Sequence, residues 1–244
     1  VARRQTAEEQ KYLEEYRPSE YPRPSVTVDL VILTVQDKDL KILLVRRDAH
    51  PFKGRWALPG GFVRVSDDRR DQGEDLDAAA VRELEEETGL SQPIFLEQVK
   101  TFGKPGRDPR MRVISVAYYA LVRSTLVPLV RAGGDVSHTR WFSVAELPSE
   151  GLAFDHTDIL DATLERARAD LERTTIAFEL VPETFTIQEL RAVHEAIGGA
   201  PLDPGNFRKK FLRMIEDGLI EAARGKRATA SKPANVYRFV RKSV

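Results

Sequence analysis

An α+β chain in two parts is predicted: a front part that interleaves strands and helices, and a small rear part of two short helices followed by a β-hairpin. Three observations carry this. β-rich runs such as Val26 to Val35 (VTVDLVILTV) and Arg112 to Val122 (RVISVAYYALV) alternate with helical stretches at Leu76 to Leu90 and Asp155 to Arg173. Further on, two helix-start signals fall close together, at Thr186 and Asp203. Charge divides as well. From Asp203 onward eleven Lys/Arg stand against four Asp/Glu, a net +7, in a chain whose 38 basic and 38 acidic residues cancel, so residues 1–202 carry a net −7.

A length of 244 residues suits about two domains. The punctuation divides them as an arm over 1–25, a front domain over 26–173, a join over 174–185 containing Pro182, and a rear domain over 186–244. The absence of cysteine excludes disulfides, thiol catalysis and zinc-thiolate sites. No apolar run approaches the roughly 20 residues that span a bilayer, and the N-terminus shows no apolar signal core, so a cytoplasmic protein with no membrane partner is expected.

In chain order, Ala7 to Tyr16 reads as a short acidic helix ended by a Pro-rich run; with little core of its own, it is expected to dock elsewhere or on a partner subunit. Val26 to Val35 and Leu40 to Arg46 form a hairpin across QDKD, and alternation turns one of Arg46 and Arg47 toward whatever pocket the strands line. In WALPGGFV, Pro59, Gly60 and Gly61 suggest a sharply bent strand that lets backbone approach a ligand. Strands are expected over Phe95 to Phe102 and Arg112 to Val122, separated by FGKPGRDPR, whose Lys104, Arg107 and Arg110 make it a candidate phosphate-facing loop or an ordinary charged turn. His138 to Ser143 is a short strand, and Asp155 N-caps the helix that runs to Arg173. The four histidines share no ligand spacing and read as structural.

The helix LDAAAVRELEEETGL puts Glu83, Glu86 and Glu87 on one face at i, i+3 and i+4, turns Glu85 away, and has Gly89 as its C-terminal cap. Like charges this close repel, so the face needs a cation. Arg82 could neutralise part of it, and a hard divalent ion, Mg2+ or Mn2+, could bridge it to substrate phosphates. A plain solvated acidic face is the alternative.

In the rear part, Thr186 and Glu189 form a capping box and Gly198 with Gly199 stop the first helix; Asp203 and Pro204 open the second, which Gly218 ends. Two short helices across a tight turn fit a helix-turn-helix. Asn206, Arg208, Lys209, Lys210 and Arg213 start the second helix, with Phe207, Phe211, Leu212 and Ile215 as its packing side. Arg224, Lys226, Arg227 and Lys232 lie in the following small-residue hairpin, which has the character of a wing. Basic side chains so grouped favour duplex DNA through counterion release.

Glu74, seven residues, then Arg82-Glu83-Leu84-Glu85-Glu86-Glu87-Thr88-Gly89-Leu90 resembles the second half of the Nudix hydrolase box without a substitution. The first half departs. The box glycine would fall on Asp68, whereas Gly61 is separated from Glu74 by twelve residues instead of five, which reads as a seven-residue polar insertion. Together with FGKPGRDPR, TIQELRAVHEAIGG, NFRKKFL and KPANVYRF, the chain resembles the Nudix-related transcriptional regulators of NAD metabolism. That resemblance implies a Nudix α/β/α sandwich with a mixed sheet, then a winged helix-turn-helix. It implies a dimeric repressor on a palindromic operator, whose front domain binds ADP-ribose or a related nucleotide that lowers operator affinity. Arg46, Arg47, Gly60, Gly61, Arg107 and Arg110 are the candidate ligand contacts. The alternative is a Mg2+-dependent ADP-ribose pyrophosphatase, alone or alongside regulation, with Glu83, Glu86 and Arg82 as catalytic residues and Glu83, Glu86, Glu87 and Glu74 as metal ligands.

Overall fold

The structure is a computed structural model in which residues 6–66, 72–90, 94–130, 138–228 and 232–240 are described. Helix α1 (Ala7–Glu15) carries a complete Thr6/Glu9 capping box but buries none of its residues. Strands β1 (Ser25–Gln36) and β2 (Asp39–Arg46) make the expected antiparallel hairpin. They join β3 (Trp56–Ala57), β4 (Gly60–Phe62), β5 (Phe95–Phe102), β6 (Val113–Leu121) and β7 (His138–Ser143) in one sheet of order β3-β2-β1-β6-β5, with β4 on β1 and β7 on β2. The sheet is mixed because β1 and β6 run parallel while the other pairs are antiparallel.

Alternation along β1 and β6 makes two cores. Leu30 and Ile32 with Tyr118 and Ala120 pack under helix α2 (Leu76–Thr88), while Val31 and Leu33 with Tyr119 and Leu121 pack under helix α3 (His156–Arg173). Adjacent tyrosines stitch each helix to the sheet: the Tyr118 hydroxyl donates to Asp77 at 2.6 Å and the Tyr119 hydroxyl to Asp170 at 2.7 Å. The result is the expected α/β/α sandwich.

The join expected over 174–185 is not a spacer. It holds helix α4 (Ala177–Leu180), and Ile176, Phe178, Leu180, Val181 and Phe185 are buried in the core beneath α3. Its residues are too apolar to remain a solvated tether, and Phe178 stacks on Phe239 with centroids 4.3 Å apart. Helices α5 (Ile187–Gly198) and α6 (Pro204–Glu216) precede the hairpin of β8 (Ile220–Arg227) and β9 (Ala234–Phe239), to which Phe185 adds a third edge through paired backbone bonds with Tyr237. Leu190, Val193, Ile197, Phe207 and Phe211 belong to the same cluster as Val31 and Leu33, so one core runs from the sheet into the rear module. Among the described residues no helix is long and apolar enough to cross a membrane.

Candidate effector site and nucleic-acid interface

The acidic helix forms as its sequence requires. The Asp75 side chain accepts the Ala78 N–H at 2.7 Å, and Gly89 ends α2 in the left-handed region at φ 69°. Glu85 is exposed, as its spacing predicts. The cation its neighbours need is supplied from within. Arg82 donates to Glu74 at 2.5 and 2.9 Å, to Glu83 at 2.6 Å and to Glu86 at 3.0 Å, and Arg64 donates to the other Glu86 oxygen at 2.8 Å. Arg82 pulls the Glu74 carboxyl down to about 2, whereas burial pushes Glu83 above the usual carboxylate range despite its bond to Arg82.

Among the described residues, no three acidic or histidine side chains are disposed to hold a metal ion. Three of the four glutamates expected as metal ligands, Glu74, Glu83 and Glu86, are gathered around the Arg82 guanidinium. Arg82 makes ion pairs with all three.

The Arg64 N–H donates to the Glu74 carboxylate at 2.8 Å and the Glu74 N–H to the Arg64 carbonyl at 3.1 Å, while Val65 bridges Gly73 and the Ser66 N–H donates to Gln72. The extra chain is thus pinched off at its neck; Asp68, the expected glycine position, lies outside the described residues. Gly61 abuts this cluster: a Cβ there would lie 2.3 Å from the Glu83 carboxylate. At Gly60, where φ is 146°, a Cβ would lie 2.2 Å from the Val28 carbonyl.

Beyond Gly60 and Gly61 opens a cavity of about 160 Å³ lined by Asp29, Arg47, Phe62, Arg107, Arg110 and Phe154 among others. Of the paired strand-end arginines it is Arg47 that enters; Arg46 is exposed and donates to the Gly54 carbonyl at 3.1 Å. Arg47 donates to the Pro51 carbonyl at 2.8 Å and lies 4.8 Å from the Phe154 ring centre. Arg110 sits near both Phe62 (5.4 Å) and Phe154 (5.9 Å) while forking onto Asp108 at 2.7 and 3.0 Å.

Arg107 is not a free loop cation. It is buried, bonded to Asp155 at 2.6 and 2.9 Å and to Asp29 at 3.2 Å. Asp155 accordingly makes no side-chain bond to the first turn of α3, contrary to the N-cap expected there. His156, which also lines the cavity, accepts the Leu58 N–H on Nδ1 at 2.8 Å, and burial holds its pKa down. Three carboxylates missing from the expected ligand contacts thus fix the cavity's arginines: Asp29 and Asp155 hold Arg107, and Asp108 holds Arg110. The one available signal was Asp29, the lone charged residue inside the β-rich run VTVDLVILTV.

In the rear module Asp203 caps α6 through the Asn206 N–H at 2.8 Å, with Pro204 in its first turn. Asn206, Arg208, Lys209, Lys210 and Arg213 are exposed, and Phe207 and Phe211 are buried against α5 and the hairpin. Leu212, expected on the packing side, is 45% exposed because its spacing turns it past the Phe207/Phe211 face. Arg224, Lys226 and Lys232 are exposed on the hairpin. Arg227 is 34% exposed and differs from these three in its partners: it donates to Glu189 at 2.5 Å and to the Thr184 carbonyl at 2.8 Å, bracing the hairpin against α5.

Comparisons with known proteins agree with this division. A NUDIX domain model matches residues 23–163, and a model described as the NrtR DNA-binding winged helix domain matches residues 177–239. The chain is 37% identical over 231 residues, 95% of its own length and 88% of the relative's, to the ADPR responsive transcriptional repressor NtrR of Acinetobacter baylyi. It is 40% identical over 140 residues, 57% of this chain and 73% of the relative, to an ADP-ribose pyrophosphatase of Methanocaldococcus jannaschii. Its structure is similar to that of Shewanella oneidensis NrtR complexed with a 27mer DNA, with a TM-score of 0.73 and 33% identity over 88% of this chain and 93% of that one. The NUDIX domain of the same protein complexed with ADP ribose matches with a TM-score of 0.54 and 35% identity, covering 65% of this chain and 97% of that one. With a Nudix fold in front, an NrtR winged helix behind and a repressor relative that matches 95% of its length, the chain belongs to the NrtR family of Nudix-related transcriptional regulators.

Proposed function

We propose that the chain is a transcriptional repressor that grips duplex DNA with α6 and the β8–β9 wing and that releases it when ADP-ribose occupies the cavity beside Gly60 and Gly61. The observation that carries this reading is the coexistence, on one continuous core, of an arginine-lined cavity and an exposed basic helix. Larger cavities of about 430, 400, 380 and 320 Å³ lie along the module boundary and beside α6, but none of them gathers three guanidiniums as this one does, and a diphosphate selects for those. At about 160 Å³ the arginine-lined cavity accepts a diphosphate-sized group, and Arg110 must swing from between Phe62 and Phe154 for the rest of the nucleotide to enter. A homodimer on a palindromic site would set two copies of α6 in successive major grooves.

Retention of Glu83, Glu86 and Glu87 supports the alternative of Mg2+- or Mn2+-dependent hydrolysis, but that chemistry first requires Arg64 and Arg82 to give up Glu86. We therefore rank regulation first. Mobility shift with a duplex selected on this chain from a random library should show lower affinity at saturating ADP-ribose; an unchanged shift removes the effector role. Formation of AMP and ribose 5-phosphate from ADP-ribose with Mg2+ tests the alternative.

A further inference from the structure

We propose that the Arg107–Asp155 pair is the switch that reports a bound diphosphate, and that α3 carries the report to α6; this rests on the effector reading above. Asp155 occupies the cap position of α3, yet both of its oxygens are held by Arg107, which lines the cavity. Phosphate takes the same forked donation from a guanidinium as carboxylate does. A diphosphate that engages Arg107 competes directly with Asp155, while Asp29 keeps Arg107 anchored to β1.

Once released, Asp155 has a ready second partner in the first-turn N–H groups of its own helix, since aspartate is among the preferred N-caps. The pair is thus bistable: carboxylate on Arg107 with the cap unmade, or guanidinium on phosphate with the cap made. A coupling mechanism needs such a two-state element.

The opposite end of α3 touches the DNA-reading unit. Arg168 donates to the Ile197 carbonyl of α5 at 3.3 Å, and Leu171 packs on the cluster that holds Val193 and Ile197. From α5, His194 meets Phe207 of α6 edge-on, with centroids 5.3 Å apart. With 18 residues, α3 is about 27 Å long, enough to join the cavity to the helix pair as one rigid element.

Asp155→Asn tests this, because asparagine can cap but cannot hold Arg107 as a carboxylate does. The ligand-free variant should bind the library-selected duplex with the weakened affinity of ADP-ribose-saturated wild type, change less than about twofold on adding ADP-ribose, and bind ADP-ribose more tightly by calorimetry. A variant that binds ADP-ribose and keeps the wild-type fold-change in DNA affinity overturns the proposal. Should Asp155→Asn not fold, Arg168→Ala tests the far end: ADP-ribose affinity should hold within about twofold while the fold-change in DNA affinity shrinks at least about threefold. An undiminished fold-change in Arg168→Ala also overturns it. Failure of the effector reading looks different, because wild type itself would then show no response.

Discussion

Arg82 is the residue on which the acidic helix depends. Three carboxylates converge on one guanidinium, and Glu74 and Glu83 are largely screened from water. Removing one member of a buried charge group leaves the others uncompensated, so Arg82→Ala should cost about 3 kcal/mol in urea unfolding. A loss below about 0.5 kcal/mol would mean that Arg64 or solvent replaces it. His194 makes a separate prediction. Burial, and then the Lys210 charge, hold its pKa down to about 4, so the folded state keeps the neutral form. That contribution is complete above the ordinary value of 6.5 and is lost as pH falls from there through about 4. Between pH 7 and pH 4, wild type should lose up to about 3 kcal/mol more than His194→Gln, and parallel pH profiles would refute it.

At the scale of elements, α6 and the wing divide their arginines between contact and bracing. Arg208 is exposed on α6, whereas Arg227 is spent on Glu189 and Thr184. Salt titrations of DNA binding should therefore separate them: Arg208→Ala lowers the slope of log affinity against log salt by about one, and Arg227→Ala leaves the slope intact while loosening the hairpin. Equal slope changes would put Arg227 on the phosphates after all. Arg227 and Lys226 look alike in the string GKRATA, and only the pairing of β8 with β9 and the proximity of Glu189 tell them apart.

Helix limits and caps were legible because their signals are local: Thr186 with Glu189, Asp203 with Pro204, Gly89 and Gly199 all act where expected. The Arg107–Asp155 clamp was not, since its partners lie 48 residues apart and Asp155 carries a perfectly ordinary cap signature. The same holds for the neck of the insertion. Its polar residues announced a loop, but nothing local said that Arg64 would pair backbone with Glu74 and send its side chain to Glu86.

For the whole molecule, the buried stretch between the two modules matters most. Ile176, Phe178, Val181 and Phe185 join the sheet's lower core to α5 and α6 without a solvated break. Heating should accordingly give a single cooperative unfolding transition, and two resolved transitions would show the modules to be independent. Such continuity is also what lets occupancy of a small cavity in front alter the grip of a helix behind. Linkage makes that coupling reciprocal: whatever factor ADP-ribose takes from DNA affinity, DNA must take from ADP-ribose affinity. The most direct measurement is a calorimetric titration of the full chain with ADP-ribose, alone and saturated with its selected duplex. ADP-ribose should bind more weakly in the presence of DNA, by the same factor seen in the reverse experiment; equal affinities with and without DNA would show that the two sites are uncoupled.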